Sequence, residues 1–211
     1  MKLLKLSLLI AFLTLYGISC NAQKQNNSET TKLETSKMEK PKYEISVFQS
    51  GKELGKIIVE TFPEEAPLHS ANFDSLVINE LYNGTAFHRV IPSFMIQGGD
   101  PNSKNFPDDK NRWGMGDPSQ KKVPAEFNAG KENWNHKRGI LSMARSGDPN
   151  SATSQFFIMH ADASHLDGQY SIFGKVLEGI EVVDMVANTK CDLKNNAPIE
   201  IITMSIKKLS K

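Results

Sequence analysis

The chain has little of what several classes of protein require. Its 211 residues include two cysteines, Cys20 and Cys191; two cannot build a disulfide scaffold and could form one bridge at most. It has no excess of charge of either sign. With 25 Lys and Arg against 24 Asp and Glu the formal charge is +1, so sequence-independent nucleic-acid binding lacks its driving force, and no nucleic-acid partner is expected. Apolar runs long enough for several membrane spans are missing. His136, His160 and His165, with Asp162 and Asp167 nearby, show no ligand spacing of the His-x-x-x-His or Cys-x-x-Cys kind. No phosphate loop, dinucleotide fingerprint or nucleophile elbow is found either. Neither metal nor cofactor is therefore expected. What remains, 39% hydrophobic and 23% charged, suits one folded soluble domain with a tail.

The tail is the N-terminus. Lys2 and Lys5 precede an uncharged, mainly apolar run over 6–18. That run is short for a membrane span, which needs about 20 residues, and has the layout of an export signal. Gly17 and Ser19 place small residues before Cys20, which resembles the lipobox of bacterial lipoproteins, a family in which the cysteine is lipidated and becomes the new N-terminus. Gly17 stands where a lipobox usually has Leu, so cleavage by an ordinary signal peptidase, with plain secretion, is the second reading; an uncleaved anchor is the third. Cleavage after Ser19 removes two lysines, leaving 23 cationic against 24 acidic residues and a charge of −1. Lipidation would also leave Cys191 without a disulfide partner. Residues 21–40 are rich in Gln, Asn, Ser, Thr, Lys and Glu, too polar to offset the entropy of ordering. The organisation expected is a signal peptide over 1–19, a flexible tether over 20–41 beginning at Cys20, and a folded domain over 42–211. A helix over 29–40 competes with the tether.

From residue 42 onward the pattern is mostly period two. It predicts strands over 43–49, 55–62, 86–91, 94–99, 139–144, 154–159, 171–177 and 199–208. Several are continuous apolar runs, as in strands buried on both faces. Leu68, Ala71, Phe73, Leu76 and Val77 predict a helix over 67–79, and Ile180, Val183, Val186 and Ala187 another over 179–188. Eight strands and two helices suggest a mainly β protein, a barrel whose ends the helices plug. Residues 100–126 read as a long loop without periodicity.

Two segments mix charged, amide and large apolar groups. One runs Phe87-His88-Arg89-Val90-Ile91-Pro92-Ser93-Phe94-Met95-Ile96-Gln97-Gly98-Gly99-Asp100. The other is Gly139-Ile140-Leu141-Ser142-Met143-Ala144-Arg145, followed by Ser151-Ala152-Thr153-Ser154-Gln155-Phe156-Phe157-Ile158. Strand alternation sets Met95 and Gln97 on one face and Phe94 and Ile96 on the other, and pairs Gln155 with Phe157. His88 reads as structural, satisfying local hydrogen bonds, and Phe156 as plain core.

Over about 43–208 the chain resembles the cyclophilins, a family of peptidyl-prolyl cis–trans isomerases, and its stretch from Ser151 to Ile158 looks like that of the bacterial and short multi-domain branches. The resemblance implies a closed eight-stranded antiparallel β-barrel capped by two α-helices. It implies Arg89 as the catalytic arginine, with Gln97 and Gln155 as amides that orient it and the substrate backbone. Phe94, Met95, Phe157 and Leu166 match the walls of a proline pocket, and Ala144 and Arg145 the stretch whose backbone pairs with the residue before proline. His165 stands where many eukaryotic members carry Trp, and Tyr170 where they carry His; weak cyclosporin binding is therefore expected. A Gly-x-Gly loop survives as Gly114-Met115-Gly116. The expectation is an exported isomerase of X-Pro bonds, held at the cell envelope through Cys20, monomeric, and acting on proline-containing segments of folding proteins. The alternative is a non-catalytic chaperone or scaffold that binds the same segments.

Overall fold

The computed structural model describes residues 39–127 and 134–210. The expected signal peptide, Cys20, and the tether or helix as far as residue 38 lie outside the described residues.

The strands are β1 (Lys42–Gln49), β2 (Lys52–Thr61), β3 (Thr85–Ala86), β4 (Arg89–Ile91), β5 (Met95–Gly98), β6 (Ile140–Met143), β7 (Phe156–Met159), β8 (Ile172–Glu178) and β9 (Ile202–Lys208). The helices are α1 (Pro67–Ile78), α2 (Asn102–Asn105) and α3 (Ile180–Ala187). The sheet runs β3-β9-β1-β2-β8-β6-β7-β5-β4, with antiparallel pairing. Its two outer members are halves of one segment. Thr85–Ala86 pairs with β9 and Arg89–Ile91 with β5, and between them Phe87 N–H donates to Ile202 O at 2.9 Å and His88 N–H to Gln97 O at 3.0 Å. The strand expected over 86–91 is thus split, because it changes partner where the sheet closes on itself. The result is the closed eight-stranded antiparallel barrel with two main helices.

The barrel interior holds Tyr43, Ile45, Val47, Ile57, Val59, Ile96, Phe156 and Phe173, all fully buried. From α1, Phe73 plugs one end, its ring 5.1 Å from Tyr43, 5.6 Å from Phe156 and 5.3 Å from Phe173. The inward face of α1 differs in phase from the expectation: His69, Ser70, Phe73 and Val77 are buried, whereas Leu68 is 49% exposed. The cause is distant. Glu126 accepts the N–H groups of Leu68 and His69, each at 2.9 Å, and meets His69 Nδ1 at 2.6 Å. A carboxylate so placed satisfies orphan donors at a helix N-terminus and lets a polar ring turn inward. The expected aperiodic loop over 100–126 also holds α2 and a 3₁₀ turn at Lys110–Arg112.

A second apolar cluster lies apart from the interior. Met95, Phe157, Met159, Ala163 and Leu166 are buried there, with Phe94, Ile140, Ala144 and Tyr170 packed against them. Strands β5, β6 and β7 therefore contribute to apolar clusters on both faces, which explains their continuous apolar runs.

Candidate active site

That outer cluster floors a cavity of about 360 Å³. Its lining draws on Arg89 of β4, Met95 and Gln97 of β5 and Phe157 of β7. Ala144 and Arg145 follow β6, and His165, Leu166 and Tyr170 come from the segment before β8. Phe94 completes it. Phe94 reaches this face although alternation puts it on the other, because it lies ahead of β5, directly after Ser93, whose φ of 59° turns the chain.

The polar side is a directed relay. Arg89 and Gln97 are cross-strand partners, and Arg89 Nη1 donates to Gln97 Oε1 at 3.2 Å, with Met95 Sδ 4.0 Å from the same nitrogen. Gln97 Nε2 donates to Gln155 Oε1 at 3.1 Å, and Gln155 Nε2 to Gly114 O at 3.1 Å. A carbonyl accepts only, so Gly114 dictates which end of Gln155 faces it. That choice turns the Gln155 oxygen to Gln97 and hence the Gln97 oxygen to Arg89. Gln155 itself is outside the lining of this cavity and acts on it through Gln97.

Pattern reading passed over the residue at the far end of the relay. Asp100 is fully buried. Its Oδ2 accepts from Gly114 N at 2.6 Å and Gly116 N at 3.1 Å, and its Oδ1 from Asn102 N at 3.0 Å. Nothing in the local pattern separates this aspartate from a solvated turn residue. His88 departs from its expectation. It is buried, and its ring nitrogens find no partner at hydrogen-bond geometry among the described residues, facing Ala86 and Gln155 only loosely. Burial pushes its pKa down, and its ring packs beside Gly114, where a Cβ would come within 3.3 Å of it.

Two further histidines brace the apolar walls. His160 Nδ1 accepts Ser93 N–H at 2.9 Å, so Nε2 carries the proton toward Asp184, 3.1 Å away. This ties down the turn that presents Phe94. His136 stacks on Phe157 with centroids 6.2 Å apart; its Nδ1 meets Asp167 at 2.9 Å and its Nε2 meets Ser142 Oγ at 3.1 Å. The array has Ser–His–Asp composition, but Ser142 is 0% and His136 1% exposed, so no substrate carbonyl can reach the hydroxyl. Desolvation lowers the His136 pKa, opposed by Asp167.

On the rim, His165 stacks on Phe94 at 5.7 Å and 28°, and the Arg145 guanidinium covers the Tyr170 ring at 4.5 Å. Among the described residues no group of three or more His, Cys, Asp or Glu side chains could hold a metal.

The family model for cyclophilin-type peptidyl-prolyl cis–trans isomerases matches residues 44–207. The chain belongs to this family. Cyclophilin-type isomerases rotate X-Pro peptide bonds, and this is the enzyme class of the present chain. Among similar proteins, the peptidyl-prolyl cis-trans isomerase of Acinetobacter baylyi is 41% identical over 168 residues, 74% of this chain and 83% of that one. A probable peptidyl-prolyl cis-trans isomerase of Brucella abortus is 46% identical over 134 residues, 63% of this chain and 66% of its relative. The crystal structure of a Cryptosporidium parvum cyclophilin superposes with a TM-score of 0.66 at 32% identity, covering 82% of this chain and 99% of that one.

Proposed function

We propose that this cyclophilin catalyses X-Pro rotation with Arg89 as the catalytic group and Gln97 as its positioning amide. The observation that carries the reading is the Arg89 guanidinium, fixed by Gln97 at the edge of an apolar cavity. A related Cryptosporidium parvum cyclophilin, 32% identical, has been crystallised in the presence of the dipeptide Ala-Pro, and a proline ring is the natural guest of such a slot.

The chemistry asks for little else. Rotation faces a barrier of about 18–20 kcal/mol from amide resonance and takes tens to hundreds of seconds unaided. Millisecond turnover needs about 10⁴–10⁵-fold acceleration, roughly 5.5–7 kcal/mol. In the twisted amide the nitrogen becomes pyramidal and basic, and a guanidinium donor strengthens as that lone pair appears. Such preorganised donors supply several kcal/mol in a dry site. Phe94, Met95, Phe157 and Leu166 grip the ring and exclude water, His165 and Tyr170 extend the rim, and the backbone at Ala144–Arg145 holds the preceding residue while Gln155, on the lining of the neighbouring cavity, holds Gln97 and faces the chain upstream. The rotation breaks no bond and requires no cofactor, and the reading is of a monomeric enzyme that acts on proline-containing segments.

Arg89→Ala should lower kcat/KM by about 10²–10³-fold with far-UV circular dichroism unchanged. Near-equal catalysed rates for the two proteins would remove Arg89 from the catalytic role, and no acceleration by either would leave only a proline-binding scaffold.

The N-terminal features support a second part of the proposal: an exported enzyme, held at a membrane of the cell envelope by lipidated Cys20, that assists folding of other exported proteins. Mass spectrometry of the mature protein should find a diacylglyceryl group on an N-terminal Cys20. An unmodified N-terminus beyond Ser19 would mean plain secretion.

A further inference from the structure

Two cavities meet at Arg145. The second, about 300 Å³, opens beside the first and is bounded by the turn at 114–116, Lys122 and Gln155; Gln97, Ala144 and Arg145 line both. Arg145 is held firmly there. Its Nε and Nη2 donate to Gln169 O at 3.1 and 3.0 Å and its Nη1 to Ser146 O at 2.9 Å, while Tyr170 supplies a ring beneath. All of these partners are neutral. Among the described residues, none of Arg145, Arg89 and Lys122 has a carboxylate at ion-pair distance. The carboxylate on the lining, Asp117, is engaged by the N–H and hydroxyl of Ser119 at 2.8 and 2.7 Å, which hold it below the usual carboxylate range.

Three cations thus face one committed anion across the joined cavities. Because Arg145 is already ordered by its carbonyl partners, an arriving carboxylate gains a charge-assisted contact without the cost of fixing a flexible side chain. An arriving lysine meets like charge instead. From this we infer that the groove selects segments with an acidic side chain in the two residues before the proline, and that Arg145 is a specificity-determining residue. The inference rests on the proposed function, in which the backbone at Ala144–Arg145 holds the residue before proline. An extended chain advances about 3.3 Å per residue, and Ala144 and Arg145 line both cavities, so a side chain one residue from the one held there is within reach of the second.

The test uses acetylated, amidated peptides Xaa-Ala-Pro-Phe, with Xaa as Glu, Gln or Lys, followed by NMR exchange and titration with the mature protein. The Glu peptide should exceed the Lys peptide about tenfold in kcat/KM at low salt, with Gln between them. At about 0.5 M salt, where the screening length is a few ångströms, the ratio should fall to about twofold or less. Lys122→Gln should reduce the ratio, Arg145→Gln should remove most of it, and Arg145→Lys should retain part. Each ratio is taken within one protein, so a general loss of rate in an Arg145 variant cancels. If the Arg145 variants do not fold, the salt series and Lys122→Gln still decide. Equal rates for Glu and Lys peptides in the unaltered protein, or a ratio indifferent to salt and to these substitutions, would overturn the inference. Absence of turnover of the Gln peptide would count against the isomerase mechanism instead, and the Glu-to-Lys affinity ratio from the same titrations would still decide the charge preference.

Discussion

The buried carboxylate of Asp100 accepts the backbone N–H of Gly114 at 2.6 Å, across fourteen positions of sequence. The carbonyl of that same glycine receives Gln155 and so begins the relay that ends at Arg89. Gly114 sits at φ +85° with His88 against the space a Cβ would take, so the turn is shaped by its glycine and held by one fully buried charge. A loop outside the first cavity is thereby tied, through Gln155 and Gln97, to the Arg89 guanidinium, the proposed catalytic group.

Asp100→Asn should accordingly lower kcat/KM by about tenfold, the order expected when charge-assisted bonds worth roughly 1.5–3 kcal/mol are weakened. The barrel should remain folded, since Asp100 lies outside the apolar clusters. Amide exchange at Gly114 and Gly116 should speed up in parallel. A full isomerisation rate beside a loosened turn would disconnect the relay from catalysis.

Stability should fall as the solution is acidified below neutrality. His69, His88 and His136 are buried, and burial is the largest influence lowering each pKa below its ordinary 6.5. Glu126 and Asp167 pull two of them the other way, but less. The folded chain therefore binds fewer of these protons than the unfolded chain just below pH 6.5. Stability is complete above that value and is lost as pH drops toward the folded-state values, with a limiting slope of about 1.4 kcal/mol per pH unit for each histidine. Carboxylates held low, such as Asp162 and Asp184, act only below their ordinary 3.8. Thermal unfolding at about pH 7.5 and about pH 5.5 checks this; a midpoint that does not move would refute neutral burial of these rings.

Cyclosporin should inhibit this enzyme weakly, because the imidazole of His165, stacked on Phe94, offers less apolar surface than an indole. His165→Trp should tighten inhibition by about tenfold or more, in line with the larger area an indole buries. Equal inhibition of the two proteins in a protease-free assay would place the resistance elsewhere on the rim.

Much of the candidate site is legible in short-range pattern. Period-two alternation put Met95 and Gln97 on one face, and both line the cavity; Phe156 belongs to the interior, as its neighbours suggested. The misreadings share a cause. Apolarity alone sets Leu68 inward and gives no place to His69; Glu126, fifty-seven residues from His69, reverses that phase. The strand over 86–91 reads as one run, since nothing in its composition marks a change of partner at Phe87-His88.

The amino-acid order by itself determined the β-rich pattern, the two main helices and the two motifs that carry Arg89, Gln97 and Phe157, because alternation and side-chain type are properties of neighbours in the chain. Only the tertiary structure decided how the barrel closes, that Asp100 governs Gly114, and that Arg145 stands between two cavities. Those outcomes depend on polar groups finding partners, and most take whichever donor or acceptor the fold brings within about 3 Å, at any distance along the chain.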